Sequence, residues 1–323
     1  MEFKRWRLSA TSPVVNAGLG LALLFTATAC NKQEKAPEST PDSAAITTGV
    51  ELPAVWATRT LDGPVSAIAL SGGSRALLAV AYQKGGLQLF DMEAERIGEP
   101  TNFRVKALAG GQSTQIGGSA LTVFPGVTSD GTVKAYVYGE GLLAPAQVDL
   151  PVDGEKAIAG ICSGPAGTEG IMRLAFWTDI NDRVLQAGIV KESNGELSWN
   201  RGESTFTDFP IHSCAYTSDT LVASPLAIAA APLIRGQVST LLSLEPAGGL
   251  KVSSDYGMTT TNVNIRDGLS VFAPDQPVAM AAMGTMMSGG YPGGVIALAG
   301  EVAPGDSQVV FIDPSPITLP KTN

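Results

Sequence analysis

The chain has 323 residues, of which 44% are hydrophobic and only 16% charged, and it carries 37 Gly, 21 Pro and a formal net charge of −9. This length allows one large domain or two ordinary ones, with ample material for a core. Low charge and many turn residues are typical of a β-rich extracytoplasmic protein rather than a helical one. The acidic balance and the 6% aromatic content exclude a free-standing nucleic-acid binder, which needs a basic surface.

Residues 1–29 predict a lipoprotein signal peptide. A positively charged start leads into an apolar run at 18–26 that is too short to span a membrane. The small residues 27–29 then lead directly to Cys30. This order resembles the bacterial lipobox, whose cysteine is lipidated on sulfur and becomes the new N-terminus. The alternative is an ordinary signal peptide that is cleaved before a free cysteine.

Residues 30–50 predict a flexible tether, because they are polar, rich in Pro and Ser, and without periodicity. Coil of this length reaches roughly 25 Å. In enteric bacteria, a residue such as Asn31 after the lipidated cysteine, in place of Asp, favours the outer membrane. The sequence thus predicts a cell-envelope protein held to the outer membrane by its lipid, facing the periplasm or exposed at the surface. Cleavage would bring the net charge near −11.

The folded domain is expected over 51–323, and its organising unit is Val65–Met92. This stretch predicts three short strands separated by Gly-rich turns at 71–74 and 83–86. Similar strand groups follow along the chain, with hairpin turns such as Ser193-Asn194-Gly195 between them. We find no amphipathic helix of three turns after the signal peptide.

The spacing of these groups predicts an all-β fold, a β-propeller of five to six blades. Propeller repeats cluster at about 40 to 50 residues, and this spacing places innermost strands near residues 65, 119, 157, 211 and 268. The alternative is a β-sandwich, whose strands would alternate in the same way.

The order of several short motifs resembles the β-propeller phytases, a six-bladed, calcium-dependent family. Each motif is short, and together they extend over most of the domain. They are Gln83–Asp91 (family Lys-Lys-x-Gly-Leu-x-Val-Tyr-Asp), Asn102–Arg104, Gly160–Cys162, Ser213–Ala215 and Asp267–Leu269.

The resemblance implies a phosphate-contacting role for Lys84 and Arg104, with Asp267 as a third candidate in a reduced catalytic site. However, most of the acids of the family are missing. Asp62-Gly63-Pro64 keeps at most one carboxylate of an early acidic pair, and Ala223–Leu226 has none where a later Glu-Glu pair is usual. Calcium needs six to eight oxygen ligands. We therefore expect the scaffold without the phosphatase chemistry.

Two cysteines remain once Cys30 carries a lipid. Cys162 and Cys214 form an even pair in an oxidising compartment, which favours a disulfide. The family alignment implies that they lie on inner strands of neighbouring blades, within reach of each other. Two buried free thiols are the alternative.

The single histidine, His212, limits the available chemistry. Clusters such as H-x-H and H-E-x-x-H are excluded. On a strand, His212 and Cys214 would point the same way, so a Cys–His nucleophile pair is conceivable. A histidine hydrogen-bonded near a propeller channel is the simpler interpretation.

Three further groups of residues each have a possible binding role and a structural alternative. Asp91, Asp179 and Asp182 could bind calcium, although turns favour Asp for backbone reasons alone. Lys84 and Arg104 could form an anion site or remain solvated. The Met-rich tract 280–294 could ligate copper(I) or fill space beside a Gly-rich loop.

The sequence therefore predicts a lipid-anchored propeller that acts as a non-catalytic binding or scaffold module. Its partners would be the membrane, through the lipid, and an unknown envelope protein or small ligand. The alternative is a calcium-dependent phosphohydrolase that uses Lys84, Arg104 and Asp267.

Overall fold

A computed structural model describes residues 49–72, 76–152, 157–179, 181–218, 220–236, 238–254, 259–284 and 290–318, which all belong to one compact unit, Ala44–Asn323. These residues form 24 strands. They are β1 (Val50–Ala57), β2 (Val65–Ser71), β3 (Leu77–Tyr82), β4 (Leu87–Phe90), β5 (Arg96–Thr101), β6 (Val105–Leu108), β7 (Gln112–Ile116), β8 (Ser119–Thr128), β9 (Val133–Gly139), β10 (Ala146–Asp149), β11 (Gly160–Pro165), β12 (Met172–Trp177), β13 (Val184–Ser193), β14 (Glu196–Arg201), β15 (Thr205–Phe206), β16 (Ser213–Thr217), β17 (Thr220–Ser224), β18 (Ala229–Arg235), β19 (Val238–Leu244), β20 (Leu250–Ser254), β21 (Thr259–Arg266), β22 (Ala279–Met283), β23 (Val295–Ala303) and β24 (Asp306–Ile312).

The strands form six blades arranged in a ring, so the predicted propeller of five to six blades is confirmed. Blades 1, 2 and 3 are β2-β3-β4-β5, β6-β8-β9-β10 and β11-β12-β13-β14, with β7 and β15 as additions. Blade 4 is β16-β17, blade 5 is β18-β19-β20-β21, and blade 6 is β22-β23-β24-β1. The inner strands β2, β6, β11, β16, β18 and β22 contact one another in this order, and β22 returns to β2.

Strand β1 closes the ring from the N-terminal side. Its second half pairs antiparallel with β24, as Trp56 does with Phe311, which completes blade 6. Its first half pairs parallel with β21 of blade 5, beginning with Val50 opposite Val263. One strand therefore joins two blades into a single eight-stranded sheet. Leu52 lies at the centre of β1 and is fully buried.

The hydrophobic core lies between blades, because both faces of each sheet are covered by a neighbour. The middle strand of blade 1, β3, shows the consequence: all six of its residues are buried and nearly all are apolar. Hydrophobic clusters of the described residues lie between blades 1 and 6, 5 and 6, 2 and 3, 1 and 2, and 3 and 4. Alternate residues of one strand point to opposite neighbours, as Ile68 and Ala69 do on β2.

Three predicted positions of inner strands need correction. The inner strand of blade 2 is β6, which begins at Val105, because the hairpin β7-β8 makes residue 119 the start of a second strand. Blade 5 begins at Ala229, a strand start that the prediction left out. Blade 6 begins at Ala279, since Gly268 lies in the connection that precedes it. The expected starts near 65, 157 and 211 lie within three residues of β2, β11 and β16.

Candidate functional site: the central channel

The inner strands enclose a central channel with a cavity at each end. We call the end at which the inner strands begin the start face, and the opposite end the end face. The start-face cavity has a volume of about 230 Å³ and is lined by the first residues of all six inner strands. The end-face cavity, of about 410 Å³, is lined by the later residues of the same strands.

A ring of six apolar residues, which we call the waist, lies where the two cavities adjoin. Each inner strand supplies one residue that lines both cavities. The waist consists of Ile68, Leu108, Ile161, Cys214, Ala230 and Met280. Since these side chains are apolar, polar contacts with a ligand come from residues on either side of the ring.

The start-face cavity is a polar mouth. Lys106 on β6 is the one residue with a permanent charge among its described lining residues, and none of them is acidic. His212, directly before β16, lines the same cavity and is exposed. Neither side chain has an ion pair or a hydrogen bond among the described residues. In a protein of net charge −9, this mouth is a local exception that favours anions.

Ser213 adds a buried polar group to the polar mouth. Its side chain is 5% exposed, and its hydroxyl oxygen has no hydrogen-bond partner in the part of the chain that the structure describes. A buried hydroxyl without a partner costs about 1–3 kcal/mol. Ser213 lines the cavity, but its hydroxyl oxygen is buried from solvent and does not face the open part of the cavity.

The local backbone of blade 3 allows an aromatic wall at the polar mouth. Trp177 at the end of β12 lines the polar mouth and is almost completely buried. It stands opposite Gly160 in the pairing of β11 with β12. A β-carbon at Gly160 would collide with the indole ring. Gly160 therefore lets Trp177 lie flat against the inner strand.

The end-face cavity is apolar, and we call it the apolar cavity. No charged residue is found among its described lining residues, which include Gly110, Gly111, Pro232 and Met283. Ser163 lies there, but its hydroxyl donates a 2.6 Å hydrogen bond to the carbonyl oxygen of Gly110. This end of the channel therefore offers shape and apolar contact rather than charge.

A disulfide joins Cys162 on β11 to Cys214 on β16 at the waist, with 5.7 Å between the Cα atoms. It ties the two-stranded blade 4 to the complete blade 3. Tyr216 packs in the same cluster and donates a 3.2 Å hydrogen bond to the carbonyl oxygen of Leu174. Burial raises the pKa of Tyr216 to about 12. With its sulfur in the bridge, Cys214 is not a thiol nucleophile for His212.

The three residues of the proposed reduced catalytic site are not brought together. Lys84 lies in the exposed β3–β4 turn, and Arg104 lies in the connection between blades 1 and 2, beside that turn. A β-carbon at Gly85 would lie 3.4 Å from Cγ of Arg104, so the turn and Arg104 are in contact range. Asp267 lies in the connection from blade 5 to blade 6, where its carboxylate accepts a 2.8 Å hydrogen bond from the amide of Ala273.

The three calcium candidates stabilise turns. A carboxylate oxygen of Asp91 accepts hydrogen bonds from the amides of Glu93 and Glu95, at 3.0 and 2.8 Å. Asp179 accepts one from the amide of Asn181, and Asp182 accepts from Thr178 and Val184. Asp91 follows β4 at the end face, whereas Asp179 and Asp182 follow β12 at the start face. No cluster of three His, Cys, Asp or Glu able to hold a metal occurs among the described residues.

Two predicted features lie wholly or partly outside the described residues. Cys30 and the rest of 1–48 are not described, and neither is 285–289 of the Met-rich tract. From that tract, Met280 belongs to the waist and Met283 lines the apolar cavity.

Sequence reasoning missed Lys106 and Ser213. Once β6 was passed over as an inner strand, nothing marked Lys106 as a channel residue. Ser213 entered the sequence analysis only as part of the motif Ser213–Ala215 and not as a channel residue. The signal that could have identified Lys106 was its charge at the second position of a short apolar strand, Val105–Leu108.

No family model matches, and no curated protein matches. Among solved structures, a mutant lectin of Aleuria aurantia in complex with Fucalpha1-6GlcNAc is similar at 12% identity and a TM-score of 0.48, over 78% of this chain and 92% of the lectin. A chain of the mitotic checkpoint complex is similar at 10% identity and a TM-score of 0.44, over 90% of this chain and 99% of that one. No helix of the described residues is long and apolar enough to cross a membrane.

Proposed function

We propose that this protein is a non-catalytic binding module of the bacterial cell envelope, and that its polar mouth takes a small anionic ligand. The observation that carries the proposal is the exposed Lys106, which lines the same cavity as His212 and has neither an ion pair nor an acidic residue beside it among the described lining residues. A carboxylate or phosphate group could accept a charge-assisted hydrogen bond from Lys106, and bonds of this kind are the stronger ones.

The module would be held to the outer membrane by a lipid on Cys30. Support comes from the lipobox-like order at 27–30 and from the polar tether before β1. A phytase-like ancestry would account for the motif order. The phosphohydrolase alternative gains no support from the geometry, since Asp267 lies on the far side of blade 6 from the Lys84 turn.

The lipid anchor is tested by the variant Cys30→Ser in the full chain expressed in a bacterium. Without the sulfur that carries the lipid, we expect the protein to move from the membrane pellet to the soluble envelope fraction. Ser39→Ala is the matched control, because it changes a residue of the proposed tether and keeps the sulfur of Cys30. Equal distribution of Cys30→Ser and the unchanged protein would contradict the anchor.

The anion site is tested by following thermal unfolding while inorganic phosphate or acetate is added at constant ionic strength. A ligand that binds only the native state raises the melting temperature, and at a hundred times its Kd it contributes about 2.7 kcal/mol. We expect Lys106→Gln to weaken binding about tenfold, as loss of a charged hydrogen bond implies.

Lys84→Gln is the control for this experiment, because it makes the same charge change on the same face but outside the cavity. We expect it to bind as the unchanged protein does. If Lys106→Gln and Lys84→Gln weaken anion binding equally, the effect is one of net charge, and the polar mouth is not the site.

A further inference from the structure

Blade 4 leaves a sheet edge open. It has two strands, of which β16 lines the channel and β17 lies outside it. The chain passes from β17 directly to blade 5 through residues 225–228. No strand of the described residues pairs with the outer edge of β17.

The unpaired backbone groups on this edge can be assigned. The carbonyl oxygen of Ser224 accepts a 3.0 Å hydrogen bond from the amide of His212, so Ser224 faces the β16 side. Successive residues of an antiparallel strand face alternate edges. The backbone N–H and C=O groups of Leu221 and Ala223 therefore point away from β16, and neither residue has a backbone partner on that side among the described residues. Two N–H and two C=O groups on this edge therefore have no backbone partner among the described residues.

The edge of β17 also lacks the devices that protect other edges. Proteins protect exposed edge strands with charged residues or proline. The outer strand β5 contains Arg96, Glu99 and Pro100, β10 ends in Asp149, and β14 carries Glu196 and Arg201. Strand β17 reads Thr-Leu-Val-Ala-Ser and has neither device. Among these outer edges it is the one suited to pairing.

The surroundings of β17 indicate the chemistry of a partner. Between His212 and Arg235 the sequence contains one charged residue, Asp219. Leu226, two residues after the strand, is 68% exposed. A charged peptide segment bound here would lose the hydration of its charge without gaining an ion pair. An apolar or hydroxyl-bearing segment has no charge to desolvate.

We propose that β17 binds a short, uncharged, extended peptide segment of a protein partner by strand addition. The backbone groups of Leu221 and Ala223 would supply the hydrogen bonds, and Leu226 an apolar contact. A second copy of this chain fits less well. Five residues span about 17 Å, and two such edges joined along that length bury far less than the roughly 1,200 Å² of a stable interface. The proposal is independent of the ligand at the polar mouth.

The test uses the full protein and a fluorescent peptide of alternating Thr and Val, followed by fluorescence anisotropy. We expect saturable binding that is weakened about tenfold or more by Ala223→Pro. Proline removes the outward N–H and is tolerated on edge strands. Ala223→Val is the matched control, because it keeps the N–H group, and it should bind as the unchanged protein does.

A second measurement keeps the proposal open to contradiction if Ala223→Pro fails to fold. The same peptide N-methylated at every residue has no N–H to donate from either edge, and the unchanged protein should bind it about tenfold more weakly or not at all. Equal binding of both peptides, or no binding of the first, would overturn the proposal. Sedimentation that shows a dimer lost in Ala223→Pro would also overturn it, since the occupant would then be a second copy.

Discussion

The polar mouth and the apolar cavity are built by the same six strands, yet they offer opposite chemistry. The polar mouth has Lys106, His212 and Ser213 among its lining residues, whereas the apolar cavity is lined by no charged residue in the described chain. Within a few residues along each strand, the lining of the channel changes from polar and charged to apolar. The scaffold thus fixes where a ligand can lie, and single side chains at the strand starts decide what it is.

Removal of the disulfide should have the largest effect on the channel, since Cys214 belongs to the waist and Cys162 lies next to it. In the chain-entropy description, a bridge across 52 residues is worth about 4 kcal/mol. The double variant Cys162→Ala, Cys214→Ala should lose about that much free energy of unfolding in urea. Reductant should destabilise the unchanged protein but leave the double variant unaffected. Equal stability of the two proteins without reductant would contradict this role.

A smaller change opens the waist without touching the disulfide. Met280 is 6% exposed and lies between the two cavities. Met280→Ala should cost about 3 kcal/mol, within the usual range for a buried methionine. It should also weaken anion binding at the polar mouth by admitting water through the ring.

Met92→Ala is the matched control for Met280. Met92 is similarly buried, at 4%, but packs between blades 1 and 6 outside the channel. It should show a similar loss of stability with unchanged anion binding. If Met280→Ala leaves anion binding unchanged as well, the waist does not separate the two ends.

The fold was largely predictable from the sequence, because alternating apolar strands and Gly-rich turns repeat at a propeller spacing. Val65–Met92 predicted β2, β3 and β4 of blade 1. The closing role of β1 was not predictable, because its partners β21 and β24 lie more than 200 residues away. The inner strand of blade 4 was expected near residue 211, but its lack of two outer strands was not, since missing strands leave no pattern of their own.

The candidate site was less predictable than the fold. The position of His212 near the channel was anticipated, although its side chain has no hydrogen bond among the described residues. Lys106 was not anticipated, because a surface lysine and a channel lysine look alike until the inner strand is identified. Turn aspartates such as Asp91 and Asp182 resembled metal ligands because both roles require carboxylate oxygens. Only the backbone amides that contact them distinguish the two.

The most direct test of the account uses the single histidine of the chain. His212 lines the polar mouth, so the only histidine ring resonances of the protein come from that cavity. We expect inorganic phosphate, added at constant ionic strength and pH, to shift the ring resonances of His212 saturably, and Lys106→Gln to move the midpoint about tenfold higher. Resonances that stay in place while phosphate stabilises the protein would show that the anion binds elsewhere and would contradict the account.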